Sequence, residues 1–138
     1  MQKKPAIYPA AKHRPHRSLR SLPAEPMSVG VARRWLRSGC GHFAGDELCE
    51  DAELVMSELV GNAVRHADGP VDVEVSAAAG GGLWLSVRDT STRPVQHDQV
   101  DLLSESGRGL GLVDLLSSRW GVDADRSGKR VWAELEPC

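Results

Sequence analysis

The stretch Leu54 to His66, LVMSELVGNAVRH, decides how this chain folds, because it reads as the middle of one helix. At about 100° per residue, Ala52, Val55, Met56, Leu59, Val60 and Ala63 fill one apolar arc. Glu58 and Asn62 run along one edge of that arc, and His66 falls just inside it. An ordinary amphipathic helix keeps its polar groups on the far side. Polar side chains rising in i, i+4 steps along the core margin point to a polar cavity beside the core.

Outward from this helix the chain changes period. Asp46 is a candidate N-cap for the helix, which runs to Ala67, and Asp68-Gly69-Pro70 closes it. Val71, Val73, Val75 and Ala77 then alternate with Asp72, Glu74 and Ser76. After a turn at Gly80-Gly81-Gly82, Leu83, Leu85 and Val87 alternate with Trp84, Ser86 and Arg88, which predicts a hairpin with one face inward. Carried forward, the alternation points Asp89 to the core side. A buried carboxylate is costly unless it is partnered, so Asp89 either pairs within the protein or awaits a ligand donor.

Residues 90 to 106 have no sustained period and predict a long loop of the kind that forms lids. The loop leads into Gly107-Arg108-Gly109-Leu110-Gly111, and Leu112, Val113, Leu115, Leu116 and Trp120 predict a third apolar-faced helix. Alternating glycines at a helix start let backbone N–H groups approach an anion where the helix end is already positive, and Arg108 adds a cation. The pattern is neither a Rossmann fingerprint nor a P-loop: no strand directly precedes it, and Gly128-Lys129 is followed by Arg130. A last hairpin, Gly121 to Arg126 and Lys129 to Leu135, turns on Ser127-Gly128. Upstream, residues 14 to 22 predict an edge strand, and Pro26 and Ser28 open a helix that Gly39 and Gly41 end.

The 138 residues carry a net charge of -2, which fits one soluble domain over 14–138 and gives no global argument for nucleic acid. Residues 1–13 read as a disordered basic tail. That tail has no interleaved aromatics beyond Tyr8 and no reading motif after it, so nucleic-acid binding is set aside. No stretch approaches the roughly 18 apolar residues of a membrane span, and the N-terminal segment lacks the apolar run of a secretory signal. The expected location is cytoplasmic. Cys40, Cys49 and Cys138 are odd in number and lack CxxC spacing, which fits reduced thiols better than a disulfide framework. A partial metal site at Cys40, His42 and Cys49 lacks a fourth ligand at suitable spacing.

The order ELVGNAVRH (58–66), VRDTSTRP (87–94) and GRGLGL (107–112) resembles the histidine-kinase/Hsp90-like ATPase (GHKL) superfamily. Within it, the resemblance is to the short bacterial branch of anti-sigma factor serine/threonine kinases and related actinobacterial regulators. It covers about Ser18 to Leu135. It implies an α/β (α+β) two-layer sandwich of the Bergerat type: a mixed, mainly antiparallel sheet covered on one face by about three helices. It implies an ATP site in which Asn62 holds Mg²⁺ through its side-chain oxygen and Asp89 accepts from the adenine amino group. Gly107, Gly109 and Gly111 would wrap the phosphates with Arg108 near the terminal one, Arg65 and His66 would support phosphate or metal, and Glu58 would be the catalytic base or orient the attacking hydroxyl. The amide oxygen and the inward carboxylate suit those roles chemically. Ser91 stands where the broader family usually has Gly, a variant of the actinobacterial branch.

The expected function is thus Mg-ATP-dependent phosphorylation of a small anti-anti-sigma-type antagonist protein, with a sigma factor as further partner and a homodimer as the assembly. The alternative is a non-catalytic ATP-sensing interaction module. A complete histidine kinase is set aside, since 138 residues leave no room for a helical phosphoacceptor domain.

Overall fold

The computed structural model describes residues 17–41, 44–67, 69–90 and 109–137. The elements are β1 (Arg17–Leu22), α1 (Met27–Cys40), α2 (Asp46–His66), β2 (Val71–Ala77), a 3-10 turn (Ala79–Gly81), β3 (Leu83–Asp89), α3 (Gly109–Leu116), β4 (Arg119–Asp125) and β5 (Gly128–Leu135). The strands form one sheet in the order β1-β2-β3-β5-β4, with every pairing antiparallel. The mainly antiparallel, helix-covered sheet expected from the sequence is the architecture found. The tail over 1–13 and the loop beyond Thr90 lie outside the described residues.

The hairpin alternation builds the inner face. Register rows set Val73, Val87 and Val131 side by side, and Val75, Leu85 and Ala133 in the next row. Against these rows packs α2, which touches β2, β3, β5 and both other helices. Its residues Ala52, Val55, Met56 and Val60 are fully buried and Leu59 is 1% exposed. Each of Val55, Met56, Leu59 and Val60 contributes about 1.5–3 kcal/mol by leaving water. Leu59→Ala would cost about 2–5 kcal/mol, because the surrounding packing relaxes only partly around the cavity.

The hairpin turn needs glycine at Gly80, whose φ of +70° is a left-handed conformation that side chains with a Cβ resist.

Four expectations are corrected. The helix α2 starts at Asp46 with Gly45 as its N-cap, so Asp46 acts from the first turn, beside Glu47, where acidic groups favour the positive helix end. The third helix stops at Leu116, and Trp120 belongs to β4. The reason lies in Ser118, whose amide and hydroxyl both donate to the carbonyl of Glu134, at 2.8 and 2.9 Å, which turns the chain into the sheet. Leu115, expected on the apolar face, is 74% exposed. Finally, Cys40 and Cys49 form a disulfide, with Cα atoms 5.8 Å apart. Packing of α1 on α2 brings the end of the first helix to the start of the second, a proximity that cysteine spacing alone does not report.

The outward positions of the hairpin also depart from simple alternation. Ser76, Trp84, Ser86 and Trp132 point away from the helices yet are buried. The register seats Ser76 beside Trp84 and Ser86 beside Trp132, so each small hydroxyl residue has an indole as its neighbour.

Candidate functional site

Three elements build the site, with β3 and α3 both packed against α2. On α2 itself, Glu58, Asn62 and His66 are each half-buried and Arg65 is exposed. The margin position expected from the helical wheel is what the fold gives to the first three. His66, the last helical residue, is engaged by another group of the chain.

The second element is β3, which packs against α2. It ends at Asp89, which is 3% exposed and stands in the inner row with Val71 and Lys129. Asp89 already interacts with another group of the chain, and a carboxylate has acceptor positions for more than one donor. Lys129, which the sequence motifs do not single out, neighbours Asp89. It is 6% exposed and faces Asp89 directly across the β3–β5 pair, so opposite charges share one inner row. The signal was available, since Lys129 is in phase with Val131, Ala133 and Leu135.

The backbone around Asp89 is held closely by the β4–β5 turn. A Cβ at Gly128 would lie 2.0 Å from the Asp89 carbonyl oxygen, and Gly128 has φ +145°. Only glycine lets the two backbones approach so far. On the opposite face Arg88 reaches across to the same turn, with Nη2 3.3 Å from Asp125 Oδ1 and a hydrogen bond to Ser127 Oγ. Asp125 Oδ1 accepts from the Ser127 amide at 2.8 Å and from its hydroxyl at 2.7 Å. These bonds from Ser127, with Arg88 adding attraction, hold the Asp125 carboxyl below its ordinary range. In the neighbouring cross-strand pair the balance is opposite: desolvation raises the Asp123 carboxyl above its ordinary range, and Arg130 only partly offsets it.

The third element is α3, which touches α2 and opens at Gly109. Gly111 is half-buried, and a Cβ there would meet nothing within 4 Å. No packing within the described residues therefore demands glycine at 111; a bare surface for a ligand is a consistent reason for it. Gly107 and Arg108 lie outside the described residues, so of the expected phosphate set only Gly109 and Gly111 are described.

This arrangement can read a nucleotide. A nearly buried carboxylate at a strand end suits an exocyclic amine, and bare backbone at a helix start suits phosphate. Among the described residues no cluster of three or more His, Cys, Asp or Glu gathers to hold a metal. The amide oxygen of half-buried Asn62 is a hard donor of the kind that would suit Mg²⁺.

Residues 22–135 match the family model described as the histidine kinase-like ATPase domain. No curated protein sequence matches the chain. Among solved structures, the chain is similar to the RsbU and RsbW domains of Rv1364c from Mycobacterium tuberculosis, with a TM-score of 0.67 and 21% identity. That similarity covers 87% of the present chain and 32% of the other, so the chain spans about a third of that solved chain. At this identity the likeness concerns the fold. No helix among the described residues is long and apolar enough to cross a membrane.

Proposed function

Because the chain belongs to the histidine kinase-like ATPase domain family through residues 22–135, we propose that it is an Mg-ATP-binding regulatory protein that phosphorylates a serine or threonine of a small antagonist protein. The observation that carries this reading is Asp89: a carboxylate only 3% exposed, at the end of an inner strand face against the helix bearing Glu58 and Asn62. Asp89 accepts from the adenine amino group, and Asn62 supplies the protein oxygen to Mg²⁺. The cation neutralises phosphate charge when bound. Gly109 and Gly111, with Gly107 and Arg108 before them, bind the phosphates.

Glu58 takes the proton of the substrate hydroxyl as its oxygen bonds to the terminal phosphorus, and ADP leaves with the electrons of the broken P–O bond. Half-burial suits that task, because the carboxylate must meet a protein substrate while remaining beside the nucleotide. The same reading includes a sigma factor as the partner released or held according to the antagonist's phosphorylation, a homodimeric assembly and a cytoplasmic location.

Calorimetric titration with ATP and Mg²⁺ of wild type, Asn62→Ala and Asp89→Ala tests the site. Magnesium-dependent binding lost in both variants is the expected result, and a wild type that gives no heat and does not bind ADP overturns it. Glu58→Gln then separates catalysis from sensing: retained binding with abolished phosphotransfer supports the kinase. A wild type that binds ATP but transfers nothing to any candidate antagonist supports a non-catalytic ATP-sensing module instead.

A further inference from the structure

Asp114 stands on α3 and is 7% exposed, and its Oδ1 accepts a hydrogen bond of 2.9 Å from the indole Nε1 of Trp120 on β4, also 7% exposed. An eight-residue helix does not persist by propensity, so its contacts decide where it sits. Those contacts are uneven. The outward Leu115 is 74% exposed, while Leu110 and Val113 face the core. Just past the C-terminal end, Ser118 is tied twice to Glu134, and this fixes where that end sits. A helix fixed at its end can still roll about its axis. The Asp114–Trp120 bond opposes that motion, because it joins a side chain in the last turn of the helix to a strand six residues further along the chain.

We infer that Asp114 and Trp120 are positioning residues that hold the roll of α3, so that the bare backbone at Gly109 and Gly111 stays aimed at the nucleotide phosphates. The inference rests on the ATP-binding reading above and assigns to these two buried groups the affinity for the phosphate chain, as distinct from the affinity for adenine. Trp120 lies on the inner face opposite Ala133, where its ring also packs in the core. Trp120→Phe therefore keeps most of the packing and removes the N–H donor alone. It also leaves the Asp114 oxygen without that donor, the costlier half of breaking a buried bond. Asp114→Asn keeps an oxygen acceptor of the same reach.

The full chain and the variants Trp120→Phe, Asp114→Asn and Asp114→Ala would be titrated with ATP, ADP and AMP in Mg²⁺ while hydrogen exchange is followed at the amides of α3. Trp120→Phe and Asp114→Ala are expected to weaken ATP by about three- to tenfold, the worth of one buried hydrogen bond. AMP should be nearly unchanged, Asp114→Asn should lie closer to wild type, and exchange should quicken in α3 but not in β2 or β3. A purely structural role would weaken all three nucleotides alike and loosen the sheet as well, which overturns the inference. So does a Trp120→Phe variant that binds ATP as wild type does. A wild-type chain that binds none of the nucleotides overturns the ATP reading itself, an outcome distinct from either of these.

Discussion

Arg37 on α1 donates from both Nε and Nη2 to Oε1 of Glu53 on α2, at 3.1 and 2.6 Å, and only 10% of the Glu53 side chain is exposed against 66% of Arg37. The pair is asymmetric: the cation is solvated and the carboxylate is nearly out of water. Arg37→Gln should therefore destabilise the fold more than Glu53→Gln, since only the first strands a buried charge. Urea unfolding of both variants checks the order, and equal losses would show that burial of Glu53 carries no penalty.

Cys40 and Cys49 fasten the same two helices. In a non-reduced, unfolded sample, alkylation should modify one of the three cysteines, leaving the bonded two untouched. Reduction should lower the unfolding free energy by about 2–3 kcal/mol, the chain-entropy value for a loop of this size. Intact mass and denaturation with and without reductant measure both, and three adducts without reductant would refute the bridge.

Two glycines should behave oppositely. Gly128→Ala forces a Cβ into the Asp89 carbonyl at φ +145°, and the conformation alone costs about 1–3 kcal/mol. Gly111→Ala, in open space within a helix, should stabilise the chain by up to about 1 kcal/mol. The same change should weaken ATP binding, because the methyl group occupies the surface that the phosphates approach. Melting and calorimetry on one preparation separate the effects. A Gly111→Ala protein with unchanged ATP affinity would remove Gly111 from the site.

Asp123 gives a pH signature. Its carboxyl is raised above 3.8, chiefly by desolvation, so the folded state binds its proton more tightly than the unfolded one. The stability this group contributes is present below pH 3.8 and lost as pH rises through the raised value. Asp123→Asn should thus be more stable than wild type at pH 7, with the advantage shrinking as pH falls through the raised value toward 3.8. Denaturant midpoints at the two pH values test the sign, and an advantage independent of pH would exclude ionisation as its cause.

Much of the architecture was legible because it rests on local period. The 3.6-residue pattern around Leu59 placed α2, put Glu58 and Asn62 on its margin and fixed which side meets the sheet. Strict alternation over Leu83 to Asp89 turned the carboxylate inward. What was missed depends on partners distant in sequence. Trp120 continues the apolar pattern of α3 and only the bonds of Ser118 to Glu134 show that the helix has already ended.

The amino-acid sequence by itself determined the elements, the inward direction of Asp89 and the order of motifs that carries the family resemblance, since each depends on neighbours a few residues away. Only the tertiary structure decided that Lys129 faces Asp89, that Cys40 meets Cys49 and that Asp114 meets Trp120. Strand register and helix packing bring these pairs together by closing the whole chain around one core, and no local periodicity encodes which side chains then become neighbours.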